Sequence, residues 1–412
     1  MKICYFAPPA SVHTRRWLEY MEGKGHDIQL VTIGPRQANW PDRWPIHTWP
    51  PDFPGQPSRM MWHLANLTRG HSWVPVALGL WGAIKVRHIL NKLAPDLVHV
   101  HYIDHLSICA LLSEFHPIVA TAWGSDFLIQ PSQYTGPQLK LLRYALSKAD
   151  LLTCNSEALR QAGIGFGVKP ARIRIRQWGV ELKKFGPDIA SPERMTAFRE
   201  KWGINSTSLV LLSPRNPKKP LYCIDGVLRA FRGVLERYPD ALLIQLGASS
   251  NPKAYAKLKK LAVDLGVDSQ VRWLGFIPEE ELALVFSLAR LTVSLATSDS
   301  LPTSLLEALA SGSIPIFTDV GSIHEWIVSG ENGWLVPPGD SEALTAAILQ
   351  ALAQPASWWE RTRIGNREII RLRANRTRTL EAMAQDYAML ISDLPFNALK
   401  AVPRNEGKEA AI

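Results

Sequence analysis

Short apolar runs alternate with segments of helical period along most of the chain. KICYFAP, HDIQLVTI, DLVHVHY, PIVATAW and DLLTCNS each read as a buried strand closed by turn residues. Between them, Thr14–Lys24, Leu80–Leu93 and Pro137–Ser147 place apolar residues at helical spacing. The segment FGPDIASP, Phe185–Pro192, is rich in Pro and small residues and reads as a linker. The alternation then restarts with SLVLLSP, ALLIQLG, QVRWLGF, LTVSLAT and IPIFTDV, with helices expected at 223–237, 252–265, 279–288, 303–311 and 341–353. Runs of β then α, twice over, predict an α/β chain of two doubly wound parallel sheets. The expected boundaries are 1–187 for a first domain and 188–375 for a second. A helix over 376–394 is expected to pack back on the first domain, and a tail over 395–412 to lack order. Ligands of such sheets bind at the carboxyl edge of the strands.

Composition narrows the partners. Lys and Arg number 46 against 37 Asp and Glu, a surplus that suits anionic ligands such as nucleotide phosphates or acidic lipid headgroups. No zinc finger, aromatic RNA-binding motif or basic heptad region occurs, so nucleic acid is not an expected partner. Cys4, Cys109, Cys154 and Cys223 are isolated, which argues against a disulfide framework or zinc site and for a reducing cytoplasm. No apolar run reaches 18 residues, and the short N-terminal run reads as a first strand rather than a signal peptide. Trp40, Trp44, Trp49, Trp62, Trp73 and Trp81 cluster within one region, either as local packing and sugar-stacking residues or as interfacial anchors. MMWHLANL at 60–67 and VPVALGLWGAI at 74–84, rimmed by Arg59, Arg69, Lys85 and Arg87, are the candidate patch for an anionic inner membrane face.

The segment SDSLPTSLLEALASGSIPIFTDVGSIHEWIVSGENGWLVPPG, residues 298–339, is the richest in chemistry. A polar loop, Ser298–Asp299–Ser300, precedes a helix opening near Pro302, a residue favoured in the first turn. The open N–H groups around Thr303 and Ser304 form an anion site. Asp299 stands just before that terminus and Glu307 about one turn inside it. One carboxylate can reach a sugar on one side of a diphosphate, the other a ribose on the far side. Near LLSPRNPKKP, Arg215 follows a strand and could stabilise charge growing on a leaving diphosphate.

These residues resemble the signature of retaining GT-B glycosyltransferases of family 4, in which two acids stand eight positions apart. The resemblance implies the GT-B fold, two Rossmann-like domains facing across a cleft, and transfer from a nucleotide-sugar donor, UDP- or GDP-linked, to a glycan or lipid-linked acceptor. It gives Asp299 the donor sugar hydroxyls and Glu307 the ribose diol, with Leu301, Pro302, Thr303 and Ser304 lining the donor. Asp299 stands where Glu is usual. The family's loop Arg corresponds to Arg215, and its later Lys to Lys219, Lys218 or the place taken by Tyr222. Gly179 in QWGVELKKF would let the chain lie against the nucleotide, and the backbone of Phe276 and Ile277 would meet the base. In TAWGSDF, Trp123 replaces the family's usual His, and Asp126 either bonds a sugar or caps a helix. In PPASVHTRRW, His13 either binds acceptor or phosphate or caps the first helix. HVHYIDH, with His99, His101, Asp104 and His105, invites a metal reading, but strand-end packing accounts for it better. No metal or other cofactor is expected. The implied product is a cell-surface polysaccharide or glycolipid, made with retention by an enzyme at the cytoplasmic face. A nucleotide-sugar 2-epimerase or a non-catalytic nucleotide-sugar-binding protein would share the architecture.

Overall fold

The computed structural model describes residues 1–33, 41–49, 74–186, 189, 191–217, 220–247 and 252–392. The apolar runs form the strands that the pattern predicts. In the first sheet these are β1 (Lys2–Phe6), β2 (Asp27–Ile33), β3 (Ile46–Trp49), β4 (Leu97–His101), β5 (Ile118–Thr121), β6 (Leu151–Cys154) and β7 (Ile173–Ile175), in the order β3-β2-β1-β4-β5-β6-β7. The second holds β8 (Val210–Ser213), β9 (Leu242–Leu246), β10 (Val271–Gly275), β11 (Leu291–Ser294), β12 (Ile314–Thr318) and β13 (Trp334–Val336), in the order β10-β9-β8-β11-β12-β13. The strand pairs whose registers are resolved run parallel. Each sheet reverses its winding once, between β1 and β4 in the first and between β8 and β11 in the second. Such a reversal leaves a crevice at the carboxyl ends of the two strands that flank it.

β3, β7 and β13, which the hydrophobic pattern does not announce, are edge strands of three or four residues. An edge strand is covered on fewer sides, so it needs no continuous apolar run. The second sheet is covered on both faces. Val210, Leu212 and Ile244 join one apolar cluster, while Leu211, Leu243 and Val293 join the other.

The chain divides into two compact units. One comprises residues 1–153, 162–174 and 380–412, the other 154–161 and 175–379. The chain thus passes between units four times, with crossings after 153, 161, 174 and 379. The sequence boundary at 187/188 falls inside the second unit, because Val180 and Phe185 are buried in that unit's core. The last helix, Arg376–Ser392, joins the first unit from Leu380 onward. Its Tyr387 hydroxyl lies 2.5 Å from His99 Nδ1, 3.1 Å from Trp17 Nε1 and 3.3 Å from the Tyr5 hydroxyl, all buried. The predicted tail 395–412, the segment 60–67, Arg59, Arg69, Trp40, Trp62 and Trp73 lie outside the described residues. Trp44 is a core residue, 4% exposed. Among the described residues no helix is long and apolar enough to cross a membrane.

Candidate active site

In the second unit, both strands at the winding reversal deliver a charged residue just beyond their carboxyl ends. Arg215 follows β8 by two positions and Asp299 follows β11 by five. Arg215 and Asp299 form an ion pair, and Arg215 Nη1 lies 3.5 Å from the Ser304 hydroxyl. The guanidinium carbon sits 4.5 Å from the centre of the Tyr222 ring, a cation–π distance. Arg215 is buried, and that burial draws its pKa below the ordinary arginine value.

The loop carrying Arg215 is held from below. Gln245, on β9 and 1% exposed, donates from Nε2 to the Arg215 carbonyl at 2.7 Å. Gly247 has φ +97°, and a Cβ there would lie 2.7 Å from Asn216 Cα. Thr297 N–H donates to the Leu221 carbonyl at 2.8 Å, tying the Tyr222 loop to the one that bears Asp299. Beside Tyr222, Cys223 takes a left-handed conformation with φ 47°, which costs a non-glycine residue of order 1 kcal/mol. Strain of that kind is retained where neighbouring contacts over-determine the backbone.

The helix Thr303–Ser311 opens on Pro302, which offers no side-chain cap. Leu305 N–H bonds back to the Pro302 carbonyl, whereas the N–H groups of Thr303 and Ser304 gain no backbone partner among the described residues. This end carries the partial positive charge of the helix. Leu301 points into the core at 3% exposure, so only its main chain is left for a ligand. Glu307 lies one turn inside the helix and is buried, 6% exposed.

A polar cluster that no sequence motif marks fixes the Asp299 loop. Ser300 Oγ donates to Asn155 Oδ1 at 2.8 Å and lies 2.7 Å from Ser156 Oγ, and Asn155 Nδ2 donates to the Leu301 carbonyl at 3.3 Å. Ser322 N–H donates to the Ser300 carbonyl at 3.0 Å, and Ser322 Oγ accepts the Ala158 N–H at 2.9 Å. Asn155 and Ser156 close the run DLLTCNS, and their partners lie about 145 residues away.

Three predicted contacts lie in distinct surroundings. Gly179 has φ +69°, and a Cβ there would sit 2.5 Å from Arg376 Cα, so it admits the protein's own backbone, at the bridge from Val180 to Asn375. Ile277 packs partly buried on the core while Phe276 is 81% exposed, and the contact expected of both is through their backbone. Asp126 is 1% exposed and accepts N–H bonds from Ile103, Trp123 and Gly124 at 2.7–3.1 Å. Both oxygens are engaged by the backbone, and burial still pushes its pKa up. It shapes the loops after β4 and β5. Lys218 and Lys219 lie outside the described residues.

The first unit gathers aromatic rings at its own winding reversal. Ser11, not His13, caps the first helix, Val12–Gly23. His13 lies edge-on to Trp123, with centroids 5.8 Å apart, and Trp123 also meets Tyr102 and His101. His99 and His101 stand on one face of β4 with rings 4.3 Å apart. His99 Nε2 lies 2.6 Å from the Thr121 hydroxyl. Burial lowers the pKa of both, that of His101 to about 3, so both are neutral packing groups. Asp104 caps the helix that begins at His105. Among the described residues no group of three His, Cys, Asp or Glu is placed to hold a metal ion.

Residues 195–369 match the family "Glycosyl transferases group 1", and residues 2–156 match "Glycosyl transferase 4-like". N-acetyl-alpha-D-glucosaminyl L-malate synthase of Bacillus anthracis is 27% identical over 278 residues, 66% of this chain and 68% of that protein. Alpha-monoglucosyldiacylglycerol synthase of Streptococcus pneumoniae is 26% identical over 362 residues, covering 84% of this chain and 76% of that one. The crystal structure of the Anabaena protein HepE in complex with UDP superposes with TM-score 0.73 at 17% identity, over 95% of this chain and all of that one. With two parallel sheets of the same winding and family matches in both halves, the chain belongs to the GT-B glycosyltransferases of family 4.

Proposed function

We propose that the protein transfers a sugar from a UDP- or GDP-linked donor to a glycan or lipid-linked acceptor, with retention of anomeric configuration, in polysaccharide or glycolipid synthesis. The observation that carries this reading is the convergence of Arg215, Asp299 and Ser304 on the open start of the helix Thr303–Ser311. That terminus and the guanidinium would hold the diphosphate. Their fixed positive charge, rather than a metal, would offset the charge that grows as the glycosyl–phosphate bond breaks. Asp299 would bond sugar hydroxyls and Glu307 the ribose diol. The departing phosphate would take the acceptor's proton on the face it leaves, which preserves the configuration. His13 and Trp123, in ring contact in the first unit, would meet the acceptor.

A thermal-shift panel of UDP-, GDP- and ADP-sugars tests the donor class. A donor present at one hundred times its Kd stabilises the folded state by about 2.7 kcal/mol, so one member should raise the melting temperature clearly. A flat panel would remove the reading. NMR of the product then checks the anomer, and an inverted linkage would contradict retention.

The reading also includes docking on an anionic membrane. On the helix Val74–Leu93, Leu80, Trp81 and Ile84 are 50%, 45% and 68% exposed, and the Lys85 ammonium lies 5.7 Å from the Trp81 ring. Neither this helix nor Gly136–Ser147 contains an acidic residue. Flotation with phosphatidylglycerol vesicles should recover the protein at low salt, and recovery should fall in Trp81→Glu. Equal recovery with neutral vesicles would count against a charge-guided surface.

A further inference from the structure

The two groups that the donor would need are already engaged with each other. Asp299 Oδ2 pairs with Arg215 Nη2, and Asp299 Oδ1 accepts the Ser300 N–H at 2.8 Å. The carboxylate is therefore held at both oxygens while its side chain is 20% exposed, against 10% for Arg215. Arg215 Nε, buried, has no hydrogen-bond partner among the described residues. The guanidinium is thus only partly satisfied, stacked on Tyr222 and neutralised by one carboxylate. A buried cation without a counter-ion is costly, which explains why an acid occupies this place in the free protein.

We propose that Asp299 is the internal counter-ion of Arg215 and that the donor's diphosphate displaces it. This rests on the donor reading above. A diphosphate carries more charge than a carboxylate and presents several acceptor oxygens to the guanidinium, to Ser304 and to the N–H groups of the helix start. Its arrival exchanges one anion for another at Arg215, so the buried cation is never left alone. The same exchange releases the Asp299 carboxylate, which becomes available to sugar hydroxyls once the phosphates are seated. Phosphate binding and sugar recognition are thereby linked through one ion pair. The carboxylate opposes a nucleoside diphosphate that brings no sugar, because that ligand must break the pair without offering Asp299 a new partner.

The consequence separates this role from simple sugar binding. Asp299→Asn keeps the shape of the side chain and removes its charge. UDP or GDP alone, whichever the wild type binds, should bind Asp299→Asn about tenfold more tightly by calorimetry, the size of a typical coupling between two sites. Transfer from the sugar nucleotide should fall in the same variant. The gain should disappear in an Arg215→Gln background, where Asp299→Asn should leave nucleotide affinity unchanged. Unchanged or weaker nucleotide binding by Asp299→Asn, with normal binding by the wild type, would overturn the proposal. So would an equal gain in the Arg215→Gln background, since the effect would then not pass through that cation. If neither UDP nor GDP binds the wild type, the donor reading itself fails and this inference falls with it.

Discussion

Arg215→Ala is expected to lower turnover by about two to three orders of magnitude, the usual loss when a fixed donor to developing charge is removed. The side chain is buried and held by Tyr222, Asp299 and Ser304, and its main-chain carbonyl is pinned by Gln245. Such a group needs little rearrangement as charge moves onto a leaving phosphate, and burial makes each interaction stronger than it would be in water. Arg215→Lys should recover little. An ammonium cannot present a flat face to Tyr222 while donating to two partners on different sides. The residual Asp299 is a fifth exposed and lies near a helix N-terminus, where a carboxylate is tolerated, so the fold should persist. Steady-state kinetics with the donor found by thermal shift check the loss. Wild-type turnover in Arg215→Ala would contradict the assignment of charge stabilisation to this residue.

The second large effect is expected from a residue that touches no ligand. Gly321 has φ +60°, and a Cβ there would lie 2.2 Å from the Asp299 carbonyl oxygen and 2.6 Å from that of Ser300. Those oxygens are backbone, so relief requires the whole 298–301 loop to move. Gly321→Ala combines left-handed strain with this clash and should cost about 3 kcal/mol. For a unit of this size that corresponds to a fall in melting temperature of about 6–12 °C. Because Ser322 N–H holds the Ser300 carbonyl, the displaced loop should also carry Asp299 away from Arg215. Transfer should then drop even at temperatures where the variant remains folded. By contrast, a Cβ on Gly330 or Gly266 meets nothing within 4 Å. A melting temperature for Gly321→Ala within a degree of wild type would show that the loop is not packed as described.

The inner strands and the long helices were legible because burial on both faces demands unbroken apolar runs, and helical spacing marks the flanking elements. β3, β7 and β13 were not, since a short edge strand needs neither signal. Arg215, Asp299 and Glu307 could be selected because they stand at a strand's carboxyl end or a helix start, where ligands of such sheets bind, and in a spacing that resembles a known signature. Asp126 shows the limit of that argument. It too follows a strand, yet its carboxylate serves three backbone N–H groups, and nothing in TAWGSDF distinguishes a carboxylate turned inward from one turned out. Gly179 is ambiguous in a related way, because a glycine announces a close approach without naming what approaches. Asn155, Ser156, Ser322 and Gln245 carry no mark in the sequence, since their partners lie 22 to 164 residues away. Such polar residues acquire meaning only once the chain has brought them together.

A crystal structure with the UDP or GDP form selected by thermal shift tests the central claim most directly. The account predicts the diphosphate against the N–H groups of Thr303 and Ser304, with Arg215 bonded to its oxygens, the ribose at Glu307 and Asp299 turned away from the guanidinium. A nucleotide bound elsewhere, with the Arg215–Asp299 pair intact and Glu307 untouched, would contradict it.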